Sequence, residues 1–315
     1  MIVIHILILV CASFLMAFSG SLLVETLIRL AKAANWREFV VGFLIMAFVA
    51  SIPNLFVGIT AALKGIPELS FGDVVGGNVV NLTLGIALAG LVGGGLVAES
   101  RLVQSSAFFT ISISVLPLLL VLDGELSRID GVILLLTFFF YSFWLFSKEE
   151  RFKKIYEGEK RESARYIIKN ILLLIVGLGL LVLGAQGVVK AALFFTRALH
   201  LPVGLIGILI VGLGNSLPEL YFTFISARKN QGWLILGTLM GSIITPATLG
   251  LGVVAIISPI KISDFSPYIL SGVFLILSGL AFFVFLRSGK KLTRKESLFL
   301  LVLYISFLLS EIFLR

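Results

Sequence analysis

Long runs of apolar residues, separated by short charged connectors, fill most of this chain. A helix needs about 20 apolar residues to cross the hydrocarbon core of a bilayer. Ten runs meet that length, near residues 2–27, 39–63, 72–98, 104–122, 130–147, 168–195, 203–227, 232–259, 266–286 and 296–314. The pattern therefore predicts an all-α polytopic membrane protein with ten transmembrane helices, the first of which is retained rather than cleaved as a signal peptide.

The composition supports a membrane protein and argues against several other classes. Of the 315 residues, 59% are hydrophobic and 13% are charged, too few polar residues to cover the outside of a soluble fold. Cys11 is the one cysteine, and His5 and His200 are far apart in the sequence, which argues against a disulfide, a zinc site or a haem. With no nucleophile–base pair, metal cluster or phosphate-binding loop, we expect no enzymatic activity and no cofactor.

The net charge of +8 comes from basic residues whose distribution fits the predicted topology. Connectors on one side of the ten spans carry nineteen Lys and Arg residues, and those on the other side carry four, namely Lys64, Arg128, Arg197 and Lys261. Because cytoplasmic loops are enriched in basic residues, the first side is predicted to be cytoplasmic, in a cell membrane, with both termini extracytoplasmic. Nucleic acid is not an expected partner.

One hydrophilic segment divides the chain into two sets of five spans. The predicted domains are a first five-helix repeat at 1–146, a cytoplasmic charged loop at 147–169 and a second five-helix repeat at 170–315. The loop is too short for a folded regulatory module, so no separate calcium-sensing domain is expected. Its basic residues are expected to contact anionic lipid. The expected partners are the bilayer and inorganic cations; no protein partner is indicated, and we expect a monomer.

The two halves repeat each other along the chain. "SIPNL", which begins at Ser51, lies over "SLPEL", which begins at Ser216. We call this alignment the repeat register. Without gaps, it also places "FGDVVGGNVVNLTLG" (71–85) over "LGTLMGSIITPATLG" (236–250). Because each half has an odd number of spans, the second half must enter the membrane from the opposite face. Inverted repeats of this kind are typical of transporters whose ion site lies near the midplane, where interrupted helices of the two halves meet.

The paired segments 49–54 and 214–219 carry the chemistry expected of such a site. Pro218 cannot donate a hydrogen bond to the carbonyl of Gly214, and in lipid a bound cation is one way to satisfy such an oxygen. Helical spacing places Ser51 with Asn54 on one face, and the second segment and its neighbours add the oxygen-bearing residues Asn215, Ser216, Glu219, Asn81 and Ser242. Oxygen ligands suit sodium, calcium or a proton.

Glu219 is the charge centre of this prediction, because a carboxylate at that depth must be protonated or paired with a cation. An intramembrane Ser or Thr can instead simply bond back to its own helix. Glu25 is interpreted as an interfacial side chain, and Glu296 and Glu311 as helix-end residues.

These residues resemble the sodium/calcium exchanger superfamily, the calcium/cation antiporters, and the resemblance covers essentially the whole chain. In that family each repeat carries a G-[TN]-S-[LI]-P-E motif and a downstream G-N-x-x-G-S-N segment. "GNSLPEL" and "GTLMGSI" fit in the second half, whereas "VASIPNL" and "GDVVGGNVVN" fit by position in a degenerate first half. The resemblance implies ten helices in two inverted halves and sodium and calcium as default ions.

The departures from the family pattern fall on ligand positions. Asn54 stands where the first repeat normally has a glutamate, and Pro246 stands where an Asn or Asp is expected. A site with one carboxylate matches sodium, potassium or a proton better than calcium, which prefers several carboxylates. Asp73, which stands where the family has Asn, is a candidate second ligand, although its position at the predicted start of the third span favours a cap or entrance role.

We therefore expect a secondary active cation antiporter that works by alternating access and exchanges sodium or protons for calcium or another cation. The alternative is a non-transporting or monovalent-only membrane homologue, such as a scaffold or sensor, whose calcium site has decayed. The surviving Glu219 and the paired proline breaks favour the antiporter.

Overall fold

The computed structural model describes residues 2–33, 52–97, 101–148, 164–229, 232–262, 264–289 and 291–313. The first half contains α1 (Ile2–Ala33), α2 (Ile52–Leu63), α3 (Glu68–Val80, a π-helical turn Asn81–Gly85, then Ile86–Val92), α4 (Arg101–Leu120) and α5 (Arg128–Lys148). The second half contains α6 (Ala164–Leu199), α7 (Val203–Ile206, a π-helical turn Gly207–Val211, then Gly212–Arg228), α8 (Gly232–Thr245, a π-helical turn Pro246–Gly250, then Leu251–Ile257), α9 (Ser266–Gly289) and α10 (Arg294–Phe313).

Within the described residues, nine of these helices are long and apolar enough to cross a membrane, and Ile52–Leu63 is a shorter apolar helix. The remainder of the predicted second span, from residue 39 to Ser51, lies outside the described residues. Each of the other predicted spans coincides with one helix, so the prediction of an all-α membrane protein is confirmed. The largest shifts at a helix start are of four residues: α3 begins at Glu68 rather than near residue 72, and α6 begins at Ala164 rather than near residue 168.

Short strands join the halves at their connectors. The part of the chain that the structure describes contains β1 (Leu96–Val97), β2 (Glu125–Leu126), β3 (Ile260–Lys261) and β4 (Lys291–Leu292). β1 pairs antiparallel with β4, and β2 pairs antiparallel with β3, so each pair takes one strand from each half. The repeat register relates β1 to β3 and β2 to β4 within one position, which makes the two pairs equivalent under the symmetry of the repeats.

Helix packing follows the same symmetry. α3 packs against α9 and α10, and its counterpart α8 packs against α4 and α5. The third span of each half therefore contacts the fourth and fifth spans of the other half. The helices form two interlocked, inverted five-helix repeats.

The helices divide into a buried centre and a lipid-facing periphery. α3 and α8 are mostly buried, whereas α1, α5, α6, α9 and α10 expose large apolar side chains such as Phe18, Phe140 and Leu183. Such an apolar outer surface is appropriate for a protein that faces lipid. The protein is thus a multi-span membrane protein.

Two apolar clusters fill the interior of the described part of the chain. The larger one is built mainly from α3, α4, α5 and α8 to α10, and the smaller one from α1 and α6 together with parts of α2, α3 and α7. α2, α3 and α7 contribute side chains to both clusters. These three helices, which carry most of the predicted site residues, therefore lie at the boundary between the clusters.

Candidate functional site

Glycines bring α3 and α7 into close contact. A Cβ atom at Gly72 would overlap the carbonyl oxygen of Gly204, and one at Gly76 would overlap that of Ile208. On the α7 side, a Cβ at Gly212 would lie 2.7 Å from the backbone nitrogen of Gly77. With no side chains between them, the two backbones approach closely enough for short polar side chains on one helix to reach the other.

Asp73 and Asn215 form the central contact between these helices. Nδ2 of Asn215 donates a hydrogen bond of 3.0 Å to Oδ2 of Asp73. Both side chains are buried, and Glu219 lies one helical turn beyond Asn215 on the same face of α7. The structure therefore brings Asp73 and Asn215 into contact, with Glu219 one turn away.

The prediction that Asp73 caps the helix or guards an entrance is wrong. α3 begins at Glu68, so Asp73 lies more than one turn inside the helix, and its side chain is 1% exposed. The physical reason is that the first turn of α3, which includes Glu68 and Ser70, is too polar to be recognised from hydropathy. The close approach of α7 then covers the next turn completely.

A second polar contact joins α3 to α8. Nδ2 of Asn81 donates a hydrogen bond of 3.1 Å to Oγ of Ser242, whose own hydroxyl donates to the carbonyl of Leu239 at 3.0 Å. Both residues are buried, Asn81 in the π-helical turn of α3 and Ser242 just before that of α8. A π-helical turn changes the direction of the side chains around it and is often found at functional sites.

Ser216 bonds back to its own helix. Its Oγ donates a hydrogen bond of 2.7 Å to the carbonyl of Gly212. A Cβ at Gly77 would lie 3.5 Å from Oγ of Ser216. The hydroxyl proton is therefore used within α7, while Oγ lies beside the narrow space at Gly77. This arrangement leaves Ser216 able to act as an acceptor.

Several buried oxygens in this region have no hydrogen-bond partner among the described residues. They are Oδ1 of Asn54, Oδ1 of Asp73, Oδ1 of Asn81, Oδ1 of Asn215 and Oε2 of Glu219. An unsatisfied buried polar atom costs about 1–3 kcal/mol. All five are acceptors, so a cation or a proton would satisfy them, whereas an anion would not. This donor set suits a hard cation.

The structure gives fewer contacts for the remaining predicted site residues, Ser51 and Asn54. Ser51 lies outside the described residues. Asn54 lies in the first turn of α2, and no described hydrogen bond joins it to Glu219. Among the described residues, no group of three His, Cys, Asp or Glu side chains could hold a metal, so a site here would have to be completed by amides, hydroxyls and carbonyls.

Two further polar residues, Ser13 and Glu311, are buried although the sequence pattern did not predict their burial. Ser13 of α1 is buried with an unpartnered Oγ, and a Cβ at Gly214 would lie 3.6 Å from that oxygen. Glu311 of α10 is buried rather than exposed at a helix end, and Ser271 of α9 donates a hydrogen bond of 2.5 Å to its Oε1. Only the partner helices make these positions buried, so a hydropathy pattern could not have found them.

Comparison with known proteins identifies the family. The model of the sodium/calcium exchanger protein family matches residues 4–147 and 169–313, which is nearly the whole chain in two segments. The chain is 26% identical to the sodium/calcium exchanger MaX1 of Methanosarcina acetivorans, over 98% of each protein. It is 29% identical to the uncharacterized membrane protein MJ0091 of Methanocaldococcus jannaschii, over 68% of this chain and 69% of that protein.

A solved structure has the same fold. The sodium-calcium exchanger NCX_Mj, soaked with Na+ and Sr2+, superposes with a TM-score of 0.64 at 24% identity, over 98% of this chain and 99% of that one. With nearly the whole chain matched by the family model, the conclusion is direct: this protein belongs to the sodium/calcium exchanger protein family, a family of membrane cation antiporters. The resemblance inferred from the paired repeats is confirmed.

Proposed function

We propose that this protein is a secondary active antiporter that works by alternating access and exchanges sodium or protons for calcium or another cation at a site centred on Glu219. The observation that carries the proposal is the carboxylate of Glu219, whose Oε2 is buried and has no hydrogen-bond partner among the described residues. A carboxylate in that position is stable only when it is protonated or paired with a cation.

Neutral oxygens complete the proposed site. Asn54, Asn81 and Asn215 each have an unpartnered amide oxygen, and Ser216 and Ser242 offer hydroxyl oxygens that already use their protons within their own helices. Ser51 is proposed as a ligand on the strength of its sequence position alone. Amides and hydroxyls neutralise no charge, which leaves Glu219 as the residue that decides whether a cation stays bound.

The proposed orientation follows the basic residues. Both termini face outward, and the loop at 147–169 is cytoplasmic between repeats at 1–146 and 170–315. The orientation is consistent with the strand pairs, because β1 and β4 both lie in connectors assigned to the cytoplasmic side and β2 and β3 in connectors assigned to the outer side. We propose a monomer that needs inorganic cations and lipid but no cofactor.

A non-transporting or monovalent-only homologue is the second candidate. It is favoured by Asn54 and Pro246, two neutral residues at positions where the family resemblance leads one to expect carboxylate or amide ligands. The two candidates differ in what they predict for purified protein. An antiporter is stabilised by its cations, because a ligand that binds only the folded state raises the melting temperature by mass action, whereas a decayed site gives no response to any cation.

Flux into proteoliposomes tests the proposal directly. Calcium or sodium uptake is measured under imposed sodium, proton and calcium gradients for the wild type, Glu219→Gln and the control Glu311→Gln. Both variants remove one carboxyl and change the side-chain volume little, but Glu311 lies on α10 and contacts Ser271. We expect Glu219→Gln alone to abolish gradient-driven exchange. Unchanged flux in Glu219→Gln would refute the assignment.

A further inference from the structure

One departure from the family pattern contacts the family motif of the second repeat. Asp73 stands where the family has Asn, and its partner Asn215 is the second residue of the "GNSLPEL" motif. In the structure the amide of Asn215 donates to the carboxylate of Asp73 at 3.0 Å. An asparagine at position 73 would offer a more weakly accepting carbonyl than the carboxylate does, so Asp73 strengthens the hydrogen bond that Asn215 donates.

The hydrogen bond also determines which oxygens of Asp73 and Asn215 remain without a partner. Oδ2 of Asp73 is engaged by Nδ2 of Asn215, which leaves Oδ1 of each side chain buried without a partner. Glu219 lies one helical turn beyond Asn215 on the same face of α7, and its Oε2 is likewise buried without a partner among the described residues. Three acceptor oxygens from three residues are thus buried at the contact between α3 and α7 or within one helical turn of it.

No basic side chain neutralises this pair of carboxylates in the part of the chain that the structure describes. The one ion pair found there joins Arg29 to Glu25, on the exposed C-terminal part of α1. Two buried carboxylates of like charge cannot both be ionised cheaply unless a counter-charge lies between them. A divalent cation supplies two positive charges at once, whereas a monovalent cation leaves one carboxylate to be protonated.

From this geometry we infer that Asp73 supplies the second negative charge that Asn54 lacks, with Asn215 as its positioning residue, so that the site takes a divalent cation. The inference rests on the proposed function and changes its ion preference, because a site with Glu219 as its one carboxylate would favour a monovalent ion or a proton. The second carboxylate comes from α3 instead of α2.

Calcium and sodium binding to the purified full-length protein in detergent tests the inference. Isothermal calorimetry is run separately with calcium chloride and sodium chloride on the wild type, Asp73→Asn, Asn215→Thr and the control Glu68→Gln, which removes an acidic charge from the first turn of the same helix. We expect Asp73→Asn to weaken calcium binding about a hundredfold or more and sodium binding far less. Asn215→Thr keeps both charges, and its expected loss for calcium is about tenfold.

The double variant Asp73→Asn/Asn54→Glu moves the charge to the position where the family normally has a glutamate. We expect it to recover calcium affinity to within about tenfold of the wild type, a result that a merely structural role of Asp73 would not give. The double variant also covers the case in which Asp73→Asn alone fails to fold, which is checked by gel filtration.

The outcomes separate this inference from the proposed function. If Glu219→Gln abolishes cation binding but Asp73→Asn binds calcium as the wild type does, Glu219 remains the centre and the inference about Asp73 is wrong. Equal losses for sodium and calcium in Asp73→Asn would also overturn it, since they would indicate a disrupted helix contact. If the wild type binds no cation at all, the proposed function itself fails.

Discussion

In the part of the chain that the structure describes, the two halves share the order of their helices and a π-helical turn in the third span, but they differ in chemistry. In the repeat register, the π-helical turn 81–85 of α3 corresponds to the turn 246–250 of α8. The same hydrogen bond recurs in both, from Thr83 to the carbonyl of Val79 and from Thr248 to the carbonyl of Ile244. The backbone symmetry therefore extends to individual side-chain contacts.

The polar residues break that symmetry. Asp73 corresponds to Thr238, Asn81 to Pro246, Ser242 to Gly77, Asn215 to Ala50 and Glu219 to Asn54. The more polar member of each pair lies on α3, α7 or the first part of α8. None of the five counterparts carries a charge. Packing requires both halves to keep the same shape, whereas a cation needs one set of ligands. The proposed ion site therefore has its charged ligands on one side of the symmetry axis.

The largest expected difference in cation affinity is between variants of Glu219 and of Asn54, which are equivalent in the repeat register. Glu219→Gln removes a buried charge and is expected to weaken cation binding by about two to three orders of magnitude. Asn54→Ala removes one neutral oxygen and is expected to cost about tenfold. Calorimetry and proteoliposome flux measure both. Equal losses for the two variants would mean that the site is symmetric after all.

The next effect concerns helix contacts. Gly72 and Gly237 are equivalent by the repeat, but a Cβ at Gly72 would overlap the backbone carbonyl of Gly204, whereas a Cβ at Gly237 meets nothing within 4 Å. Gly72→Ala is expected to destabilise the fold by about 1–3 kcal/mol because the backbone must shift. Gly237→Ala is expected to be neutral or stabilising by about 0.5–1 kcal/mol, since alanine favours a helix. Thermal unfolding in detergent, without added calcium, compares them; a smaller loss for Gly72→Ala than for Gly237→Ala would contradict the packing described here.

The contact between Asn81 and Ser242 gives a smaller effect. Ser242→Gly copies the residue found at the equivalent position, Gly77, and removes the acceptor of the 3.1 Å hydrogen bond. A hydrogen bond of this kind contributes about 0.5–1.5 kcal/mol, so cation affinity is expected to fall by less than about tenfold. Calorimetry checks this value, with Ser278→Gly on α9 as a control, because Ser278 likewise donates to a carbonyl of its own helix. A loss as large as that of Glu219→Gln would make Ser242 a principal ligand.

Replacing the charged loop should have the smallest effect. A neutral linker in place of residues 149–163 is expected to leave cation affinity unchanged, because no predicted ligand lies in that segment. Calorimetry in detergent measures the affinity independently of orientation in a membrane. A clear loss of affinity would reveal a regulatory role that the length of the loop does not suggest.

The sequence was sufficient to predict the helices and their symmetry. The ten spans follow from apolar length, and the repeat register can be read directly from motifs such as those at Ser51 and Ser216. The depth of Asp73 could not be predicted, because the polar first turn of α3 at Glu68 hides the true start of the helix. Its contact with Asn215 depends on the close approach of α3 and α7 at Gly72, which no pattern along a single chain reveals.

The strand pairs that cross between the halves also constrain how such a protein can have arisen. β1 pairs with β4 and β2 with β3, so a strand of one half always finds its partner in the other. An ancestor half this long, before the gene duplicated, would have needed a second copy of itself inserted upside down to make those pairs. Fusion of the two halves in one chain removes that requirement, because each chain then carries one copy in each orientation.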